Sequence, residues 1–158
     1  MTIKTGNVTD RRVLHFNSLD EIAADVEGLA NRKLKALGNW SPGQILTHLA
    51  RTMNGSIDGM GFTVIWPIRV MGWLFRRGML SKPMGAGFQL PKRAAAVLVP
   101  GETSWEDGLR QFREAVQRQK TESTRAPNPV LGSLTREEWE QLHCRHSELH
   151  LSFLKTVE

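Results

Sequence analysis

Apolar positions recur at helical spacing in four segments of the chain, and each segment opens on a capping signal. In the first, Leu19, Ile22, Val26, Leu29 and Leu37 share one stripe, the three-and-four spacing of an amphipathic helix. Ser18 and Glu21 stand where each side chain can satisfy the other's backbone donor, and Gly38-Asn39 supplies a stop. The spacing predicts a helix from this cap to about Leu37. A second helix opens at Ser41-Pro42, with serine as N-cap and proline where a missing N–H costs nothing. It carries Ile45, His48, Leu49 and Met53, then weakens at Gly55, Gly59 and Gly61.

The third helix is predicted from Ser104 to Thr121, with Trp105, Leu109, Phe112, Val116 and Gln119 on one face. The fourth starts at the capping box Thr135-Arg-Glu-Glu138 and is expected to run to the end of the chain. Residues 1–16 read as an extended lead-in. Residues 56–100 mix glycines, four prolines and apolar patches, which predicts a long, partly helical connection. Two helices, a long crossover and two more helices describe an all-α antiparallel four-helix bundle, expected as a single domain over residues 1–158.

Composition changes this picture little. Hydrophobic residues make up 40% and charged residues 23%, the balance of an ordinary globular domain. The single cysteine, Cys144, rules out an intrachain disulfide and a zinc site built of thiolates. Its scarcity suits a cytoplasmic location, and residues 1–16 lack the apolar core of a secretory signal. Residues 60–75 are apolar but fall short of the roughly 20 residues of a spanning helix, and Pro67 and Arg69 interrupt them. They are expected to be buried or to line a pocket, with no membrane partner. The formal charge of +5 is scattered along the chain, so no nucleic-acid partner is expected.

The fourth helix carries the chemistry. Trp139, His143, His146, His150, Phe153 and Val157 follow one another at steps of three and four, which keeps them on one helical face. His146 and His150 are offset by about 40° around the axis and about 6 Å along it. Two imidazoles so placed can converge on one ion at Zn–N distances of about 2.0–2.1 Å. A third ligand must come from elsewhere. His48 shares the stripe of Ile45 and Leu49 on the second helix and is the leading candidate. His143, one turn before His146, is the alternative ligand or a supporting hydrogen-bond donor. Cys144 and Glu148 point about 160° away from His146, and His15 reads as structural. Three neutral imidazoles would leave a coordination position open for water or substrate. Zinc, nickel and iron all suit such a donor set as the divalent ion.

Two segments carry a family resemblance. Asn39-Trp-Ser-Pro-Gly-Gln-Ile-Leu-Thr-His48-Leu-Ala and the run from Pro129 through Trp139, His143, His146 and His150 to Phe153 resemble the DinB/YfiT-like superfamily. Within it they look most like domain-of-unknown-function family 1569. The resemblance implies a bundle, often dimeric, with a divalent metal held by one histidine of the second helix and two of the fourth. Carried over, those are His48, His146 and His150, which decides the third ligand. A His-Pro pair often precedes the fourth helix in such proteins, where this chain has Asn128-Pro129. Several related families use low-molecular-weight thiols such as bacillithiol or mycothiol, and some are hydrolases.

These readings lead to a metal-dependent enzyme of the thiol S-transferase or hydrolase type, acting on a small-molecule substrate and expected as a homodimer. Trp66, Arg69, Trp73 and Arg76 are the expected pocket residues for an apolar substrate with a negative group. The alternative is a non-catalytic module, for binding or stress response, in which the metal braces two helices.

Overall fold

The computed structural model describes residues 2–157; Met1 and Glu158, the outermost residues of the expected domain, lie outside the described residues. In chain order the elements are a 3-10 turn at Thr5–Asn7, α1 (Leu19–Leu29), β1 (Leu34–Ala36), α2 (Pro42–Asp58), α3 (Trp66–Ser81), α4 (Lys92–Leu98), α5 (Trp105–Thr121), α6 (Arg136–Leu151) and β2 (Leu154–Thr156). The chain is thus mostly helical.

The four long helices expected from pattern begin where their caps stand. Ser41 and Gln44 form a reciprocal capping box on α2, and Thr135 and Glu138 form one on α6. Ser104 Oγ accepts the Asp107 N–H at 3.1 Å to open α5. Ser18 caps α1 through the Glu21 N–H, but the Glu21 carboxylate takes the N–H of Asn17 instead of Ser18.

Two helix ends differ from expectation. The first helix stops at Leu29 instead of near Leu37, and the fourth stops at Leu151 instead of continuing. The freed residues pair with each other: Leu34 faces Thr156, Lys35 faces Lys155 and Ala36 faces Leu154 in an antiparallel ribbon. Leu37 N–H donates to the Phe153 carbonyl and Val157 N–H to that of Lys33, each at 2.9 Å. Phe153 and Val157 therefore lie off α6. Backbone groups of each end find partners 120 residues away in sequence, a competition that local periodicity does not record.

The main core joins Ile22 and Val26 of α1, Leu46, Leu49 and Met53 of α2, Phe112 and Ala115 of α5, and Cys144 and Leu151 of α6. The α2–α5 packing is the most extensive. It is close because two glycines meet: a Cβ at Gly43 would lie 2.2 Å from the Ser104 carbonyl oxygen, and one at Gly108 2.5 Å from that of Gly43. A smaller cluster of Leu80, Leu131, Leu134 and Trp139 ties α3 to the start of α6. The lead-in is extended after its 3-10 turn. Arg12 grips Asp25 with two bonds of 2.8 Å, and Arg145 of α6 holds both the Phe16 carbonyl and Glu148.

The connection is partly helical as expected, but its apolar residues are not buried. Only Gly72 and Leu80 of α3 are buried, while Trp66 and Trp73 are 75% and 68% exposed. The expectation of a buried segment is therefore corrected for α3, while Met60, Phe62 and Thr63 before it line a cleft. Among the described residues no helix is long and apolar enough to cross a membrane.

Candidate metal centre

The core stripe of α2 carries His48 inward between Ile45 and Leu49, and α6 presents His146 and His150 one turn apart. Their rings meet in a triangle with centroids 4.9 Å (His48 to His146), 4.6 Å (His48 to His150) and 4.6 Å (His146 to His150) apart. One ligand nitrogen from each lies within 4.8 Å of the other two. Among the described residues no cysteine, aspartate or glutamate joins this group.

Hydrogen-bonding groups stand behind the rings of the two best-defined members. His48 Nδ1 is 2.9 Å from the Leu98 carbonyl oxygen, which can only accept, so Nδ1 carries the hydrogen. His146 Nδ1 faces Thr52 Oγ1 at 3.4 Å. The Thr52 hydroxyl donates to the Leu49 carbonyl at 2.9 Å and so offers a lone pair to His146. The Nε2 atoms of the two rings face each other at 3.1 Å. With the hydrogen on Nδ1 of both rings they present two lone pairs, and with it on one Nε2 they share an N–H···N hydrogen bond. Two ligands on a tetrahedral ion at about 2.0–2.1 Å stand about 3.3 Å apart. The 3.1 Å separation is close to that of two ligands on one ion, so the donor geometry fits a metal ion.

Burial keeps the imidazoles neutral, the form that ligates. It is the leading cause of the lowered pKa of His48, with the Leu98 carbonyl working against it. Burial pushes His150 down to about 3, aided by His48. For His146 burial comes first and the neighbouring histidines second, and its pKa falls well below the ordinary value.

The elements around the site are braced to it. Gln44 Nε2 donates to the Pro100 carbonyl, His48 to that of Leu98, and Arg51 to those of Val97 and Val99. Side chains of α2 thereby satisfy carbonyls at the end of α4 that a helix terminus leaves without partners. Trp40 stacks on His150 at 5.4 Å and tilts against His48 at 4.8 Å, forming an aromatic wall.

His143 stands outside the trio. Its Nε2 meets Ser56 Oγ at 3.2 Å, and its ring stacks on Trp139. His15 is exposed, beside Glu148 and Arg145. The expected pocket residues are not gathered at the histidines. Trp66, Arg69 and Trp73 are exposed on α3, and Arg76 pairs with Glu138. None of them lines the cleft of about 750 Å³ walled by Met60, Phe62, Thr63, Arg93, Ala96 and Pro127. Asn128, in the place of the expected His-Pro histidine, closes a turn by accepting the N–H groups of Val130 and Leu131.

Three contributors escaped the sequence reading. Thr52 is one turn from His48 on the same helix, so its spacing offered a signal. Trp40 lies within the segment that carries the resemblance. The Leu98 carbonyl has no sequence signal, being a backbone group brought in by tertiary contact. Replacing Thr52 with valine keeps the shape and removes the lone pair that orients His146. The expected result is a metal affinity about 10–100-fold weaker, read by competition titration against a chromophoric chelator. Unchanged affinity would mean that Thr52 does not orient the ligand.

The family described as "protein of unknown function (DUF1569)" matches residues 8–157, so the chain belongs to that family. No curated protein and no solved structure matches the chain.

Proposed function

We propose that this member of the DUF1569 family binds a divalent metal through His48, His146 and His150 and is a metal-dependent enzyme of the thiol S-transferase or hydrolase type. The observation that carries the reading is the convergence of three imidazoles, with ligand nitrogens within 4.8 Å of one another and the Nε2 atoms of His48 and His146 3.1 Å apart. In this reading the helices α1, α2, α5 and α6, which share the main core, form a DinB-like antiparallel four-helix bundle. The lone domain of the chain then carries the site on two rigid helices.

A bound ion supplies Lewis acidity, lowering the pKa of a coordinated water or thiol toward neutrality. The chain's own residues do the rest. The Leu98 carbonyl and Thr52 orient two ligands, and Trp40 shields the His150 side from water. Three protein nitrogens leave at least one position of a tetrahedral ion for a small-molecule substrate or thiol.

The burial of His48 and its bridge to α6 favour a second reading, in which the ion braces α2 against α6 without turnover. Chelation separates the two. Removal of metal from the protein purified without a histidine tag is expected to abolish activity toward electrophiles with added thiol, or toward esters. Ligand linkage at about a hundredfold over Kd contributes only about 2.7 kcal/mol, so a modest fall in Tm accompanies the catalytic reading. Complete unfolding on chelation, with no water exchanging at the ion, supports the brace. Purified protein without a stoichiometric metal, and unable to take one up, sinks both.

A further inference from the structure

The exposed face of α3 carries apolar side chains that nothing among the described residues covers. Val70, Met71, Leu74 and Phe75 are 46%, 52%, 59% and 60% exposed, and Trp66 and Trp73 flank them. At 100° per residue Val70 and Leu74 stand about 160° from Gly72, which is pressed against the Val130 carbonyl, while Trp66, Trp73 and Met71 stand about 100–120° from it and Phe75 about 60°. Arg76 stays on the inner side with Glu138. The outward face is thus mainly apolar, with Arg77 among its apolar side chains about 140° from Gly72, a surface that a helix bathed only in water does not need.

Charge is organised around the same element. Residues 59–101 contain six lysines or arginines (Arg69, Arg76, Arg77, Lys82, Lys92 and Arg93) and no aspartate or glutamate. The rest of the chain holds one more acidic residue than basic, so this segment carries the whole positive excess. Of the six, only Arg76 makes an ion pair among the described residues. An apolar helix face with tryptophans at its edge and uncompensated cations around it matches an anionic lipid surface.

A second copy of the chain fits less well. A symmetric contact through α3 would bring Arg69, Arg77 and Lys82 toward their counterparts with no acidic group in the segment to offset them. The helix has 16 residues, so its outward strip is about 24 Å by 10 Å. That is about 240 Å², against the roughly 800 Å² per partner of a stable interface.

We propose that α3 docks this protein on anionic membrane surfaces, with Leu74, Phe75 and the two tryptophans entering the interface and the surrounding lysines and arginines on lipid phosphates. The helix lies in the interface plane and does not span it.

The test is flotation of the full chain with phosphatidylcholine vesicles, with and without phosphatidylglycerol. Tryptophan quenching by brominated acyl chains is measured alongside. Binding to the anionic vesicles, weakened by salt, is expected. Leu74→Glu with Phe75→Glu should abolish flotation while leaving the far-ultraviolet circular dichroism unchanged. Arg69→Gln with Arg77→Gln should weaken binding about 30-fold, at about fivefold per cation. Failure to float with anionic vesicles overturns the proposal, as does undiminished binding of the Leu74→Glu, Phe75→Glu variant. A stable dimer in sedimentation that this variant splits into monomers also overturns it, because a second copy then covers α3.

Discussion

Replacing His146 with alanine is expected to weaken metal binding about a hundredfold or more. His146 is one corner of the site, with its Nε2 3.1 Å from that of His48 and its ring 4.6 Å from that of His150. A four-ligand zinc site contributes about 10–16 kcal/mol, so one ligand is worth about 3 kcal/mol and its loss weakens binding about a hundredfold or more. The truncation also removes a ring packed among imidazoles, so folding must be monitored separately. His146→Gln keeps bulk and polarity without a ring nitrogen and serves as the second variant. Elemental analysis of both proteins beside the wild type, with circular dichroism to verify the helices, reads the result. Full metal content in a folded His146→Ala protein would refute the ligand assignment.

Acidification of the metal-free protein is expected to unfold it between about pH 4 and 5. His143 is only 2% exposed, and burial pushes its pKa down to about 3, with Arg125 adding to the shift. His150 is likewise pushed down to about 3. In the unfolded chain both titrate near 6.5. Below that value the unfolded state binds protons that the native state refuses. Stability is therefore complete above about pH 6.5 and is lost as the pH falls toward 3, at about 1.4 kcal/mol per pH unit for each such histidine. From pH 6.5 to 4.5 these two residues remove about 5 kcal/mol, a large part of the total stability of an ordinary domain. His48 and His146, also shifted down by burial, act with the same sign.

Tryptophan fluorescence and circular dichroism during acid titration after chelation would follow this loss. His143→Gln should reduce the pH slope of stability by about one proton. His143 sits outside the trio and bonds to Ser56, so this variant changes acid stability with little change in metal affinity. A pH-independent unfolding free energy between 6.5 and 5 would show that the histidines are not held neutral by the fold.

Much of the helical framework was legible because caps are local. Ser41 with Gln44, and Thr135 with Glu138, act on backbone groups within one turn, so adjacent residues suffice to place the starts of α2 and α6. The helix ends were less legible. Leu37 and Val157 continue their stripes on paper, but Leu34–Ala36 and Leu154–Thr156 meet across the whole chain and satisfy each other as strands. The same limit applies to the connection: its apolar character was plain, but not which side of α3 would meet the body of the protein.

For the site, the sequence by itself determined that His146 and His150 share a helical face, because four residues make about one turn. Spacing narrowed the third ligand to His48 or His143, and the family resemblance selected His48. Only the tertiary structure distinguished their surroundings, turning His48 toward the pair while His143 stacks on Trp139 and bonds to Ser56. The packing of α2 against α6 sets that outcome, and no local spacing contains it. Protonation was decided in the same way. The Leu98 carbonyl holds a hydrogen on Nδ1 of His48, which leaves its Nε2 lone pair aimed at the α6 histidines, while Thr52 lies behind His146.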